Sequence, residues 1–248
     1  MKKILVPTLI AVAVGTLGTL PTLVQAQEST LSYNVGVVSD YRYRGISQSR
    51  LEPALQGGID YADKSGFYVG AWGSTIKWIK DTTGATKGSV EVDLYGGYKG
   101  TVGGLGYDVG FLRYEYVNND YAKTGGVNAN TNEVYGALTY GVFTAKYSHA
   151  ISNLFGNANS KNSYYVDLSA NFDLGNGLTL TPHVGRQMVN NLPAYSYNDY
   201  SITLAKDLGN GLSASLMVVD TNAKEGSYTL VNKYNGKSGA VVGLKYTF

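Results

Sequence analysis

Residues 164–172 read Tyr164-Tyr165-Val166-Asp167-Leu168-Ser169-Ala170-Asn171-Phe172. Positions 164, 166, 168, 170 and 172 make one apolar face, while Tyr165, Asp167, Ser169 and Asn171 make the other. A period of two is the signature of a strand whose two sides meet different surroundings. The run passes into Asp173-Leu-Gly-Asn-Gly-Leu178, and Asn-Gly is a strong tight-turn signal. Beyond the turn the alternation restarts, with Leu178, Leu180 and Val184 set against Thr179, Thr181 and His183. The same six residues recur at 207–212 and mark a second, equivalent hairpin.

Outward from this stretch the pattern covers the chain after residue 27, with no sustained helical period. Leu31, Tyr33, Val35 and Val37 alternate with Ser32, Asn34 and Gly36; Ala240, Val242, Leu244, Tyr246 and Phe248 lie opposite Lys245 and Thr247. Twelve strands are expected, at 31–43, 54–63, 66–78, 88–99, 104–116, 130–140, 142–150, 162–173, 177–187, 196–207, 211–221 and 238–248. The strand over 104–116 changes face near Phe111, which predicts a bulge. Short connections at 63–66, 100–103, 141, 175–177 and 209–211 alternate with long ones rich in Asn, Gly, Thr and Lys. All short turns then fall on one end of the sheet, with both ends of the chain beside them. An even strand number with short turns on one side and long loops on the other is the pattern of a bacterial outer-membrane barrel. A strand of about 10 residues, tilted about 40°, spans roughly 25 Å, the height of the apolar band in such barrels. The fold class expected is all-β: a transmembrane antiparallel up-and-down barrel of twelve strands.

Composition narrows the alternatives. Charged residues are 15% of the 248, Cys is absent, and Tyr is abundant at 22. Disorder is excluded by the aromatic content, and a disulfide scaffold or thiolate metal site by the lack of Cys. A polytopic helical membrane protein is excluded by a mean hydropathy of −0.12. Lys2 and Lys3 precede an uncharged run, and Val24-Gln25-Ala26 is a small-x-Ala cleavage pattern, so residues 1–26 read as a signal peptide and 27–248 as the barrel. An uncleaved anchor is disfavoured by Pro7, Gly15, Gly18 and Pro21. Without Lys2 and Lys3 the chain carries 18 basic and 18 acidic residues, which gives no case for nucleic acid. A soluble barrel would place its charges outside, yet the polar face here carries few. Abundant tyrosine fits interfacial girdles.

The segment Ser39-Asp-Tyr-Arg-Tyr-Arg-Gly-Ile-Ser-Gln-Ser49 is followed by Pro53-Ala-Leu-Gln-Gly-Gly-Ile-Asp-Tyr61 and Ser65-Gly-Phe-Tyr-Val-Gly-Ala-Trp-Gly-Ser74. This resembles the opening signature of the TorF-type porins, the Gcw_chp proteobacterial outer-membrane family. Gly177-Leu-Thr-Leu180, His183-Val-Gly-Arg-Gln187 and Tyr197-Asn-Asp-Tyr200 agree with it. The resemblance implies an outer-membrane barrel of the porin class. It supplies no substrate and no catalytic residues.

If the apolar face meets lipid, the lumen is lined by Asp40, Arg42 and Arg44 from the first strand, then Gln56, Asp60, Glu91, Asp93, Asp108, Lys146, Asp167, His183 and Lys245. Arginines opposite carboxylates would form a charged constriction filtering small polar solutes; the alternative is ion pairs filling a closed interior. Arg42 and Arg44 at i, i+2 share a strand face and are expected at the eyelet near the outer rim, or paired with Asp60. Trp72 and Trp78 are expected on one strand face as interfacial anchors, with a sugar-stacking platform as the alternative. Glycines inside strands, among them Gly70 and Gly97, are expected to ease bending or admit a lumen side chain. Leu244, Tyr246 and Phe248 resemble the C-terminal signal read by the barrel assembly machinery. His149 and Ser152 sit three apart, on opposite faces of a strand, which is the wrong geometry for a nucleophile and its base. No metal site, cofactor or enzyme activity is expected.

The function these features indicate is passive diffusion of small hydrophilic solutes through a narrow polar lumen. The runner-up is a non-conducting barrel acting through its outer loops. The expected partners are outer-membrane lipid and lipopolysaccharide, the assembly machinery and small polar solutes. The expected location is the bacterial outer membrane, reached through the periplasm.

Overall fold

The structure, a computed structural model, describes residues 29–248; the signal peptide expected over 1–26 lies outside the described residues. Twelve strands build one wall: β1 Thr30–Val38, β2 Ala54–Ala62, β3 Phe67–Thr75, β4 Val90–Val102, β5 Leu105–Tyr116 and β6 Thr131–Tyr140. There follow β7 Phe143–Ala150, β8 Tyr164–Ala170 resuming as Phe172–Gly175, β9 Leu178–Met188, β10 Tyr197–Gly209, β11 Leu212–Thr221 and β12 Gly239–Thr247. Each pairs antiparallel with its neighbours in sequence, and β1 with β12 closes the ring. At that seam Tyr33 N–H donates to the Phe248 carbonyl at 2.9 Å and Phe248 N–H to the Tyr33 carbonyl at 3.0 Å. Closure leaves no edge of unpaired backbone, which in lipid would cost several kcal/mol per group. The break in β8 falls opposite Pro182 of β9, whose register partner would be Ala170; proline has no N–H to give the ladder.

Alternation sets the two faces. Leu31, Val35, Val37, Leu55, Val69, Val109, Ile202, Val218 and Val242 are exposed on the outside. Ser74, Glu91, Asp93, Glu133, Gln187 and Asp199 are buried inside. An apolar exterior around a polar interior is the inverse of a soluble barrel, so the chain forms a transmembrane β-barrel. Not all tyrosines serve the outer belt. Tyr33, Tyr61, Tyr140 and Tyr246 are exposed, but Tyr114, Tyr116, Tyr165 and Tyr197 are buried.

Both Asp-Leu-Gly-Asn-Gly-Leu turns fold alike. Each carries a register shift, between Asp173 and Gly175 and between Asp207 and Gly209. In each the Asp Oδ1 accepts the N–H of the Gly two residues on, at 2.8 and 2.7 Å. The bulge expected near Phe111 is absent: β5 keeps one register with both neighbours from Leu105 to Tyr114. Leu112, Tyr114 and Tyr116 point inward, where an apolar cluster with Tyr41, Ile79, Met217, Val219 and Val241 receives them.

The expected first strand, 31–43, is also corrected. It leaves the wall after Val38, and the chain folds inward as a small hairpin, Arg42–Tyr43 against Ile46–Ser47. Arg44 and Gly45 make its tip with φ of 46° and 79°, the twist of a tight two-residue hairpin turn.

Candidate functional site

The inner hairpin sits in the barrel and is bonded on every side. Tyr41 Oη donates to Glu91 Oε1 on β4 at 2.9 Å, and Tyr43 and Tyr114 on β5 share a hydroxyl–hydroxyl hydrogen bond. Arg44 donates from Nη2 to Glu133 Oε2 on β6 and from Nη1 to Gln187 Oε1 on β9, both at 2.7 Å. Its guanidinium lies 4.4 Å from the ring centroid of Tyr165 and 4.8 Å from that of Tyr43. Arg42 donates to Asp40 and to the carbonyls of Gly45, Asn235 and Lys237. Ser47 N–H donates to the Asn235 carbonyl at 2.8 Å, tying the hairpin to the last long loop. A cluster of Tyr41, Ile79, Leu112, Tyr114, Met217, Val219 and Val241 packs around it.

Two expectations for the arginines fail here. Arg42 and Arg44 do not share a face, since Arg44 adopts a positive φ at the hairpin tip and strand alternation does not apply. Neither pairs with Asp60, which accepts a hydrogen bond from Tyr95 Oη. Asp40, Arg42 and Arg44 are all buried, but on an inward loop rather than on a wall strand.

Trp72 and Trp78 are corrected too. Trp72 shares the inward face of β3 with the buried Ser74 and meets Tyr41 edge-on at 5.4 Å between centroids. Trp78 is beyond the strand, in a helical turn Trp78–Asp81, packed against Tyr116 and Tyr121. The strand stops at Thr75 because residues 76–89 turn in to cover the hairpin, where Lys77 and Trp78 N–H donate to the Gln48 carbonyl.

The other expected lumen residues lie on the inward positions of the wall. Gln56 donates weakly to Ser74 Oγ at 3.4 Å, and Lys146 Nζ lies 4.1 Å from the Tyr135 centroid. His183 is held between Asp167 at 2.6 Å and Asp199 at 3.6 Å, with Tyr165 Oη bonded to the same Asp199. Glu91 and Asp93 are buried side by side on β4, and Asp108 accepts from Tyr68 Oη at 2.6 Å. Lys245 lines a cavity of about 30 Å³ with Asn34, Gly36, Gln56, Trp72, Ser213 and Ser215. The outward His149 bonds Tyr147 and Asn162, while Ser152 Oγ accepts the N–H of Asn132, so the two are turned to different partners. Among the described residues no group of three or more His, Cys, Asp or Glu is placed to hold a metal ion.

Tyrosine is the element that composition could not place. Inward tyrosines lie across glycines on adjacent strands and reach carboxylates. Asp60, Gly70 and Tyr95 form one row across β2, β3 and β4, and Tyr95 spans Gly70 to reach Asp60. Tyr68, Gly97, Gly110 and Tyr135 form another, with the two hydroxyls meeting above the glycines. A Cβ on Gly70 would lie 2.5 Å from the Tyr95 ring, so glycine is required for that close approach. The readable signal was the Gly–Tyr pairing in register, invisible until the register was known.

Solved structures with this fold include the KdgM porin, at a TM-score of 0.55 and 8% identity over 89% of this chain and 99% of that one. A second, titled KdgM porin in complex with disordered oligogalacturonate, has a TM-score of 0.54 and 9% identity, over 89% of this chain and 99% of that one. The NanC porin has a TM-score of 0.54 and 10% identity over 88% of this chain and 99% of that one. At identities this low the likeness shows the barrel fold alone. No curated protein matches the sequence. A family model described as "Bacterial protein of unknown function (Gcw_chp)" matches residues 24–248, and the chain belongs to that family.

Proposed function

We propose that this chain is an outer-membrane porin-like channel for passive diffusion of small hydrophilic solutes, narrowed by the inward hairpin. The observation that carries this is the closed ring with lipid-compatible residues outside and a polar interior whose outer half is constricted from one loop. Twelve strands give a backbone radius of roughly 12 Å, of which side chains take about half. The hairpin narrows it further, which suits ions and small solutes rather than polymers. Asp40, Arg42, Arg44, Gln56, Asp60, Glu91, Asp93, Lys146, Asp167, His183 and Lys245 would line or shape this path. The anionic oligogalacturonate of the KdgM complex is not carried over, because the inward wall here holds more carboxylates than ammonium groups.

The setting follows the same reading. The protein would be exported by a cleaved signal over 1–26 and would sit among outer-membrane lipid and lipopolysaccharide. Leu244, Tyr246 and Phe248, which are exposed on the outer face, would be read by the barrel assembly machinery. The narrower label of TorF-type porin fits the opening signature at Ser39–Ser49. The barrel carries solutes and catalyses no reaction. Purified, heat-modifiable protein in planar bilayers is expected to give steady unitary conductance. Sustained silence from correctly folded protein would overturn the channel in favour of a plugged barrel acting through its loops.

A further inference from the structure

We infer that the lumen favours cations, and solutes carrying positive charge, over anions; this rests on the channel reading above. The inward wall positions away from the turns supply the first observation. Carboxylates stand there on β2 (Asp60), β4 (Glu91 and Asp93), β5 (Asp108) and β6 (Glu133), with two more on β8 (Asp167) and β10 (Asp199). The ammonium groups on that face are Lys99, Lys146 and Lys245, and His183 is held between Asp167 and Asp199, so the surplus rests on Asp60, Glu91, Asp93, Asp108 and Glu133. A low-dielectric wall focuses the field of such an imbalance along the axis and raises the local concentration of counter-ions.

The second observation concerns the hairpin arginines, which would be the natural anion ligands. Arg42 is already bonded to Asp40 and three carbonyls, and Arg44 to Glu133 and Gln187. A passing carboxylate or phosphate would have to displace buried partners from both.

The third concerns three of the counted carboxylates. Glu91 Oε2, Asp93 Oδ1 and Glu133 Oε1 are buried with no hydrogen-bond partner, in residues only 1–2% exposed. Arg44 is the positive neighbour shared by Asp93 and Glu133, and Glu91 lies close enough to act on Asp93. Carboxylates buried this deeply around one arginine act on the lumen through their field and not by contact with a passing ion. No three of these groups converge to chelate an ion. The preference is therefore a field acting on passing charge, and it does not create a tight binding site.

The test is the reversal potential of the full mature protein in a planar bilayer under a KCl gradient. Salt is held near 0.1 M on the dilute side, where the Debye length is about 10 Å and the lumen charges are not screened away. Cation-sign reversal is expected, with Asp60→Asn and Asp108→Asn each lowering the potassium-to-chloride permeability ratio, while heat-modifiable migration reports that the barrel still assembles. These near-isosteric changes keep the test open if bulkier variants fail to assemble. Conductance with a zero or anion-sign reversal potential would overturn the charge preference and leave the channel standing. Absence of conductance would overturn the channel itself, and the preference with it.

Discussion

The Arg44 guanidinium donates to Glu133 Oε2 at 2.7 Å, although Arg44 comes from the connection after β1 and Glu133 from β6, five strands round the ring. Both side chains are buried, at 5% and 1% exposure. A tip residue held across the full width of the lumen makes the hairpin a fixed strut.

Removing one partner therefore strands the other. Arg44→Ala is expected to cost about 3–5 kcal/mol, the usual consequence of leaving a buried charge unpaired. The folded fraction by heat-modifiable migration across a urea series measures it. Adding Glu133→Gln to Arg44→Ala should recover part of the loss, and unitary conductance of either variant should exceed that of the parent. A loss below about 1 kcal/mol would show the pair to be dispensable.

The glycine rows make a sharper contrast. Gly70→Ala puts a Cβ at 2.5 Å from the Tyr95 ring and is expected to destabilise by about 1–3 kcal/mol. Gly136→Ala meets nothing nearer than Val109 at 4.0 Å and should be close to neutral. Equal effects in the same urea assay would refute the ring-over-glycine packing.

Tryptophan emission reports on which solvent each indole meets. The chain has 2 tryptophans, Trp72 and Trp78, and both pack against interior rings. Lipids brominated in their acyl chains are expected to leave the emission of the reconstituted barrel nearly unquenched. Strong quenching would put at least one indole back in the membrane.

Outer-loop order should depend on acid pH through Asp120. Its carboxylate accepts the N–H groups of Thr86 and Lys87, both at 3.0 Å, and the Thr86 hydroxyl at 2.8 Å. These bonds, led by the Thr86 amide, hold it well below the usual carboxylate range. A depressed folded value means the latch contributes fully above the ordinary value of about 3.9, and its bonds are lost only as pH falls through the lower folded value. Hydrogen exchange at Thr86 and Lys87, corrected for intrinsic rates, should lose protection in that window. Asp120→Ala should lack protection even at neutral pH.

Most of the wall was legible because its cause is local. Tyr164–Phe172 alternates, Asn176-Gly177 and Asn210-Gly211 turn, and closure follows from even number and lipid. Residues 39–49 misled because Asp40, Tyr41, Arg42 and Tyr43 keep the alternation going after the chain has left the sheet. Only partners distant in sequence, Glu91, Glu133, Gln187 and Asn235, hold that segment inward. Phe111 misled for a related reason. Leu112, Tyr114 and Tyr116 look like a change of face, but they meet apolar side chains that later and earlier loops bring inside. The tryptophans were assigned by a habit of the residue type, which packing against Tyr41 and Tyr116 overrode.

The seam has a temporal meaning as well. Val35 is bonded opposite Tyr246, so the earliest and latest strands to leave a ribosome are the ones that must meet. Until the latest arrives, β1 carries a row of unsatisfied amides and carbonyls, a standing invitation to mispairing. Such distant pairing is slow. Holding the nascent chain open until the whole of it is available, and joining its ends last, is thus imposed by the pattern of partners itself.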